Sequence, residues 1–292
     1  MSTSEVHTND RLAIFHIQPI IDLRTNLICG GELLWRPDDQ VPSREAFEAL
    51  EEDPALNLHI SQQAFLTALQ FLGRSKSQVW LSINLSCRFV ISSRTFFRPI
   101  SEAVEDLDAL RRQVGKRLVI EVVEKSVAGP SERQFINELS QLHTIAVDDF
   151  GVGQAPVSHM LSFNYSKVKL DRSVVSNCDS DLYRQRFLRW VIGGCQAIDV
   201  EICAEGIETE SEAAYLRRLG IEQGQGWLWS KAVPVDQFRA LCNPAGSTAE
   251  AIRLRFDKGS RVPLKRARPL GWRRGSGRRP LKAEMAASMA NA

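Results

Sequence analysis

The sequence predicts an α/β fold with a mainly parallel sheet, and the number of its strands favours a barrel over an open sheet. Seven or so apolar, strand-like segments alternate with helical segments over about 230 residues, which is typical of a parallel sheet covered by helices. Most of these strands also end in, or carry near their ends, a polar residue. In barrels built this way, the carboxyl ends of the strands hold the functional side chains.

The first half of the chain supplies four of the expected strands. Alternating or continuous apolar residues predict them at Arg11–Arg24, Leu27–Arg36, Val79–Leu85 and Leu118–Glu124. One helical stretch is expected from Ser43 and another from Asp53, since these residue types cap helix N-termini. A polar, helical region then extends from the third strand to about Gly115.

The second half continues the alternation of strands and helices. After a helix at Ser131–Leu142, strands are expected within His143–Gln154 and at Ser166–Leu170, Val200–Ile207 and Gln225–Trp229. Helices are expected at Asp181–Ile198, at Thr209–Leu219 before Gly220, and at Pro234–Leu241.

The segment His143–Gln154 organises the chain. Its apolar run stops at two adjacent carboxylates, Asp148 and Asp149, and a Phe-Gly-x-Gly turn follows at once. Neighbouring carboxylates at a buried strand end repel each other, and burial makes their charged forms still less favourable. Divalent cations would relieve both effects. The alternative is an ordinary turn that Asp148 caps, and the tetrapeptide alone does not decide between the two.

Composition and cysteine usage fit a globular protein in a reduced compartment. The chain is 43% hydrophobic and 25% charged, and no apolar run approaches the roughly 18 residues of a membrane span. Met1–Asp10 is polar and does not resemble a secretion signal. The six cysteines are scattered without a C-x-x-C pair. We therefore expect a cytoplasmic protein without a zinc site.

Charge is distributed very unevenly along the chain. Between Arg253 and Lys282, twelve Arg or Lys residues accompany one acid, Asp257, whereas the remainder has 25 basic and 34 acidic residues. We expect three parts: a disordered N-terminus at 1–10, one domain at 11–243, and a basic, disordered tail at 244–292.

Polar residues that could reach a common site fall on successive strands. Each alone is readily explained as a surface residue or a satisfied core group, but together they form a pattern. They are Glu32, Asn84, Glu121, Asp148 with Asp149, Lys169, Glu205 and Gln225. Their hard oxygen ligands suit Mg²⁺ or Mn²⁺. Two such ions roughly 3.5–4 Å apart are the usual device for displacement at phosphorus, and a lysine can act on the attacking water. The pattern predicts metal-dependent phosphate ester chemistry.

Three competing motifs are excluded because the residues that define them are missing from the chain. Asp149-Phe-Gly occurs in protein kinases, but no H-R-D loop or G-x-G-x-x-G strand is present. Gly151-Val-Gly153 lacks the lysine of a phosphate-binding loop, and the chain contains no G-x-S-x-G elbow.

At this point the chain resembles a known family, the EAL-domain phosphodiesterases of bacterial cyclic di-GMP signalling. The resemblance runs from about Arg11 to Asn243. Its blocks are Gln18-Pro19-Ile20, Glu32-Leu33-Leu34-Trp35-Arg36, Ser82-Ile83-Asn84-Leu85-Ser86, Glu121-Val122-Val123-Glu124, Asp148-Asp149-Phe150-Gly151, Lys169-Leu170-Asp171, Ala204-Glu205-Gly206-Ile207-Glu208 and Gln225-Gly226.

The resemblance implies a modified TIM barrel, of (β/α)8 type, with one antiparallel strand. It implies hydrolysis of cyclic di-GMP to linear pGpG with two Mg²⁺ or Mn²⁺ ions per active site. One ion would be held by Glu32, Asn84, Glu121 and Asp148, and the second by Asp149 and Glu205, with Asp148 as a candidate bridge.

The remaining roles are also those that the resemblance implies. Lys169 would act on the attacking water, and Gln225 would orient water or substrate. Gln18 and Arg36 are candidates for holding the dinucleotide. Glu124 and Glu208 would support the active-site loops.

Three blocks depart from the family pattern: Leu33 replaces the central Ala of E-A-L-x-R, Val123 replaces the Thr of E-x-T-E, and a loop is altered. Where the family usually has G-Y-S-S-L, this chain has Gly153-Gln154-Ala155-Pro156-Val157. In the family this loop is thought to couple dimerisation to metal binding, so a homodimer is one expected partner. Here Pro156 stiffens the loop and the Tyr and Ser hydroxyls are missing. The alternative to an active enzyme is therefore a catalytically quiet EAL domain that acts as a cyclic di-GMP sensor or a protein-binding adaptor.

The basic tail generates a separate prediction, since clusters such as Lys265-Arg266-Ala267-Arg268 could bind nucleic acid or an anionic membrane. We expect the full chain to bind DNA or anionic vesicles in a salt-sensitive manner, and truncation after Asn243 to abolish this binding. Equal binding by both forms would instead show that the tail is a solvated extension.

Overall fold

Eight strands close into a barrel. The computed structural model describes residues 13–37, 50, 52–86, 93–123, 129–150 and 163–242. In chain order the strands of the ring are β1 (Phe15–Asp22), β2 (Leu27–Trp35), β3 (Trp80–Asn84), β4 (Leu118–Val123), β5 (Thr144–Phe150), β6 (Lys167–Leu170), β7 (Glu201–Ala204) and β8 (Gln223–Gly224).

The strand β1 closes the ring and sets its topology. Neighbouring strands from β2 to β8 are parallel, whereas β1 pairs in the antiparallel sense with both β2 and β8. A short strand, β9 (Val233–Pro234), adds a further antiparallel pairing to β1. The predicted barrel with one antiparallel strand in its ring is confirmed.

Helices connect the strands and end where the sequence signals indicate. They are α1 (Pro54–Arg74), α2 (Ser93–Ala103), α3 (Leu107–Val114), α4 (Pro130–Ser140), α5 (Arg172–Val175), α6 (Leu182–Ala197), α7 (Glu210–Leu219) and α8 (Val235–Leu241). Asp53 caps α1, since its Oδ1 accepts hydrogen bonds from the backbone N–H of Ala55 and Leu56. Gly220 ends α7 at a φ of +92°, a conformation that favours glycine. No helix in the described ranges is long and apolar enough to cross a membrane.

The last predicted strand, Gln225–Trp229, is wrong. The strand β8 ends at Gly224, and the following residues form a turn. The backbone N–H of Leu228 donates to Ile207 O at 3.0 Å, and that of Trp229 donates to Gly226 O at 3.2 Å. The apolar residues here are therefore held by a neighbouring loop and by the turn itself.

Other predicted strands are longer than the strands in the structure. The first strand begins at Phe15 and ends at Asp22, whose carboxylate accepts hydrogen bonds from the next turn. The seventh covers Glu201–Ala204 alone. The helix expected from Ser43 falls largely outside the described residues, as do 1–10 and 244–292. The cysteines of the described part are free thiols, and Cys87 lies outside it.

An aromatic layer joins α1, α2 and α4 to the strand β5. Phe65 contacts Phe96 and Phe97 edge-to-face, with ring centroids 5.5 and 5.4 Å apart, and Phe96 packs on Phe135. Such edge-to-face pairs add to the stabilisation that burial of the rings already provides. His143 lies at the edge of this layer, 5.7 Å from the ring of Phe65.

The imidazole of His143 is fully buried and neutral. Its Nδ1 lies 3.1 Å from Gly115 O and its Nε2 accepts from Arg111 Nε at 3.4 Å, so Nδ1 carries the proton. Burial, helped by the nearby charges of Arg111 and Lys116 and opposed by the hydrogen bond to Gly115, lowers the pKa of His143 to about 4. Protonation of His143 therefore opposes folding.

We predict a loss of stability in mild acid that depends on His143. Between pH 6.5 and about 4 the unfolded chain binds a proton at this position and the folded chain does not, so the free energy of unfolding falls as pH falls. The expected contribution is up to about 3 kcal/mol. Urea unfolding of the wild type and His143→Asn from pH 8 to pH 4 measures it. At pH 8 the difference gives the packing cost alone. A constant difference across the range would contradict the prediction.

Candidate active site

Polar side chains from seven successive strands meet at one mouth of the barrel. The residues Glu32, Asn84, Glu121, Asp148 and Lys169 lie on β2 to β6. Glu205 and Gln225 lie one residue beyond β7 and β8, rather than on them as the sequence suggested. Because β2 to β8 are parallel, their carboxyl ends share one edge of the barrel.

The ammonium group of Lys169 lies at the centre of this site. Its Nζ is 2.7 Å from Glu121 Oε2 and 2.5 Å from Glu205 Oε1. It is also 3.4 Å from both Glu32 Oε2 and Asp148 Oδ1. The lysine side chain is only 3% exposed, so four carboxylates share one positive charge away from bulk water.

A chain of hydrogen bonds extends from this cluster along the wall of the mouth. Asn84 Nδ2 donates to Glu32 Oε1 at 2.9 Å, and Gln225 Nε2 donates to Glu32 Oε2 at 2.7 Å. Gln225 Nε2 also lies 3.1 Å from Gln18 Oε1, and Gln18 Nε2 donates to Ser230 O at 3.2 Å. The two carboxylate oxygens of Glu32 are therefore fixed in place from both sides.

Burial and crowding favour the protonated forms of two carboxyl groups. Burial, together with the charges of Glu32 and Asp148 and against that of Lys169, raises the pKa of Glu205 to about 8. The pKa of Glu121 is raised well above its usual range by burial and by the surrounding carboxylates. The site thus takes up protons unless another positive charge replaces them.

The same charges have the opposite effect on Glu32 and Lys169. Burial disfavours ionised Glu32, but the Lys169 ammonium and the amide donors of Gln225 and Asn84 outweigh it, so the pKa of Glu32 is lowered. Burial likewise disfavours charged Lys169, yet the carboxylates around it raise its pKa well above the ordinary value. In this arrangement Lys169 is a firmly protonated cation.

Asp149 reaches this region through a break in the regular strand. Pairing between β5 and β6 shifts register between Val147 and Phe150, and Asp149 has a φ of +55°. Such bulges redirect side chains and are common beside active sites. The pKa of Asp149 is raised by partial burial and by the charges of Asp148 and Asp171. Asp149 is therefore electrostatically part of the acidic cluster, although it is more exposed than Asp148.

The donor set fits a hard divalent cation. Asp148 Oδ1 and Gln225 Oε1 are buried and accept no hydrogen bond within the described part of the chain. Oxygen atoms of this kind, beside crowded carboxylates, suit Mg²⁺ or Mn²⁺ and their bound waters. Among the described residues, however, no three His, Cys, Asp or Glu side chains already converge as a metal site. The Lys169 ammonium lies among the carboxylates instead.

The predicted substrate-binding residues lie beside the cluster. Gln18 pairs in register with Glu32 across β1 and β2. Arg36 follows β2, and its Nη1 donates to Trp35 O at 2.9 Å. Burial lowers the pKa of Arg36, and the charge of Glu32 opposes this. Because an arginine side chain stays protonated at neutral pH, the guanidinium is a second positive charge near the acidic mouth.

Of the two residues predicted to support loops, only Glu208 lies within the described part of the chain. Glu208 Oε1 lies 2.8 Å from Arg172 Nη2, so it links the loop after β7 to the start of α5. Glu124 lies outside the described residues, as does the loop that contains Gly153-Gln154-Ala155-Pro156-Val157.

Sequence reasoning missed two residues at the rim of the mouth, Arg172 and Trp227. Arg172 directly follows the Lys169-Leu170-Asp171 block, and Trp227 directly follows Gln225-Gly226. The guanidinium of Arg172 lies 5.9 Å from the Trp227 ring. Adjacency to the predicted blocks is the signal that could have found them.

The model of the EAL domain family matches residues 5–232 of this chain. The chain belongs to the EAL domain family. Its relatives include the probable cyclic di-GMP phosphodiesterase PdeB of Escherichia coli strain K12, 27% identical over 76% of this chain and 43% of PdeB. The cyclic di-GMP phosphodiesterase PdeR of the same strain is 25% identical over 79% of this chain and 35% of PdeR. The chain thus spans less than half of these relatives' length.

Solved structures of EAL proteins have the same fold. The EAL enzyme Bd1971, in its form with cAMP and cyclic di-GMP bound, is 27% identical with a TM-score of 0.68, over 80% of this chain and 65% of that one. The manganese and cyclic di-GMP complex of Klebsiella pneumoniae BlrP1 is 25% identical with a TM-score of 0.65, over 78% of this EAL chain and 58% of BlrP1. The EAL fold is therefore established, and relatives bind cyclic di-GMP, one of them with manganese.

The buried charge cluster predicts a metal-dependent stability. Lys169→Met removes the ammonium that four carboxylates share, and breaking a buried ion pair costs about 3–5 kcal/mol. We expect a lower melting temperature in EDTA than for the wild type, and a larger rise on adding Mg²⁺ or Mn²⁺, since cations bind the folded state. The exposed control Lys76→Met should match the wild type. Equal melting temperatures and equal responses to the ions in all three proteins would count against this account.

Proposed function

We propose that this chain is a metal-dependent cyclic di-GMP phosphodiesterase that hydrolyses cyclic di-GMP to linear pGpG and so lowers this second messenger in bacterial signalling. The observation that carries the proposal is the set of four carboxylates around Lys169. Without cations this mouth would repel a dianionic cyclic dinucleotide. Metal-dependent hydrolysis requires such a set of oxygen ligands, and the cations that they hold would offset this repulsion.

The residues proposed to hold two Mg²⁺ or Mn²⁺ ions are those that the family resemblance assigns. They are Glu32, Asn84, Glu121 and Asp148 for one ion, and Asp149 and Glu205 for the other, with Asp148 as the candidate bridge. When bound, such cations neutralise phosphate charge and supply an activated water. The relative BlrP1, solved with manganese and cyclic di-GMP, supports this choice of ion.

Lys169 is proposed to act on the attacking water. In the arrangement described, its proton is held by the carboxylates. If cations were bound by those carboxylates, the ammonium would be held less strongly. Its Nζ can then orient a water molecule and keep a proton in place beside the phosphate.

The remaining polar groups are proposed to bind and orient the substrate. Gln225 Oε1, buried and without a hydrogen-bond donor in the described part, can accept a hydrogen bond from water or a sugar hydroxyl. Arg36 supplies a guanidinium for a phosphate, and Gln18 holds Gln225 in position. Glu208, through its ion pair with Arg172, would brace the loop that carries Glu205.

The direct test is hydrolysis of cyclic di-GMP. Purified wild-type protein with Mg²⁺ or Mn²⁺ should release pGpG, followed by chromatography. Glu32→Gln removes one negative charge that both Lys169 and the predicted cation need, so we expect turnover to fall by at least about 100-fold. The matched control is Glu102→Gln, since Glu102 is an exposed residue of α2. Its activity should equal that of the wild type.

The alternative is a catalytically quiet EAL domain that binds cyclic di-GMP as a sensor, or a partner protein as an adaptor. The observation that favours it is the altered loop Gly153-Gln154-Ala155-Pro156-Val157, together with Leu33 in place of the family's Ala. Binding of cyclic di-GMP by the wild type without release of pGpG under either ion would establish this alternative. Homodimer formation, and contacts of the basic tail with nucleic acid or an anionic membrane, stay predictions.

A further inference from the structure

An exposed tryptophan stands at the rim of the mouth. Trp227 is 60% exposed and lies two residues after Gln225, whose amide is hydrogen-bonded to the catalytic cluster. Single exposed aromatic residues are common on protein surfaces and need no explanation by themselves. Trp227 differs from other exposed aromatic residues in its position near Gln225 and in the charged side chains around it.

Two cations lie against the indole. Lys231 Nζ is 4.9 Å from the centroid of the Trp227 ring, and the Arg172 guanidinium carbon is 5.9 Å from it. Both distances are within the range of cation–π attraction. Arg172 is itself tied to Glu208 at 2.8 Å. The indole is therefore held among charged groups, although much of its surface faces solvent.

The backbone beneath Trp227 is fixed. A side chain at Gly226 would collide with the backbone of Ile207, so the turn after β8 lies directly on the loop after β7. The backbone N–H of Ile207 donates to Gln225 O at 3.1 Å, and that of Leu228 donates to Ile207 O at 3.0 Å. A rigid turn of this kind presents Trp227 at a constant place relative to Gln225 and Glu205.

We propose that Trp227 is a base-stacking residue that binds one guanine of the cyclic dinucleotide. The inference rests on the proposed function, since it concerns the same site. The two bases of a cyclic dinucleotide project outward from its sugar–phosphate ring, so a phosphate at the carboxylate cluster leaves a base to reach the rim. Aromatic side chains bind unpaired bases by stacking, with about 1–3 kcal/mol per base.

Arg172 and Lys231 are positioning residues in this proposal. Their positive charges lie beside the indole, and the half-exposed Arg172 guanidinium carries N–H donors of the kind that bind the O6 and N7 acceptors of guanine. Stacking accepts any base, so Trp227 contributes affinity and Arg172 contributes preference for guanine.

The experiment compares Trp227→Ala with Trp227→Phe and with a matched control, Trp190→Ala. Trp190 is 65% exposed on α6, outside the group formed by Gln225, Arg172 and Lys231. The full chain is assayed with cyclic di-GMP and Mn²⁺, and KM, kcat and melting temperature are measured for each variant. We expect Trp227→Ala to raise KM by about 5- to 100-fold with kcat nearly unchanged. Trp227→Phe should keep most of the affinity, and Trp190→Ala should match the wild type.

The outcomes separate this inference from the function on which it rests. If the wild type neither hydrolyses nor binds cyclic di-GMP, the proposed function fails and the stacking role fails with it. If the wild type is active and Trp227→Ala keeps its KM, the stacking role alone is overturned. A fall in kcat or in melting temperature without a change in KM would also overturn it, since that result indicates a structural role for the indole.

Discussion

The whole mouth of this barrel depends on four carboxylates, two buried and two half-buried, that share one ammonium group. Desolvation disfavours every one of these charges, and a single Lys169 cannot neutralise them all. Burial, together with the surrounding carboxylates, raises the pKa values of Glu121 and Glu205. Protons and divalent cations would compete for the same negative charge.

Closure of the ring is what brings the cluster together. Gln225 and Glu32 are separated by 193 residues, yet their side chains are hydrogen-bonded because β1 joins β2 to β8. The antiparallel direction of β1 places Gln18 opposite Glu32, within reach of Gln225. The strands that carry Glu32, Glu121 and Asp148 each pair with two neighbours, so the backbone positions of these residues are fixed relative to one another. Rigid strands thus maintain a repulsion that a flexible loop would relieve by moving.

Much of the fold and most of the cluster could be predicted from local sequence. Alternation of strands and helices indicates parallel pairing, and parallel strands place their polar ends together, so Glu121 and Asp148 were expected at one edge. The bulge at Asp149 and the turn at Gln225–Trp229 were not predictable, because both depend on contacts with distant segments. The central position of Lys169 likewise depends on which carboxylates surround it in space. The roles of these residues with metal and substrate are proposals that the sequence and the geometry support together.

The site separates two kinds of interaction with an anionic dinucleotide. Charge is concentrated inside the mouth, around Lys169 and its carboxylates, whereas the exposed indole of Trp227 lies in the turn after β8. Stacking on a base is the same in the ground state and the transition state, so it contributes to binding alone. In the proposed reaction, the groups inside the mouth would act where charge develops during displacement at phosphorus, so they would contribute to the rate. A domain that lost turnover through its metal site would therefore keep the rim and still bind its ligand, which explains how one geometry is compatible with both an enzyme and a sensor.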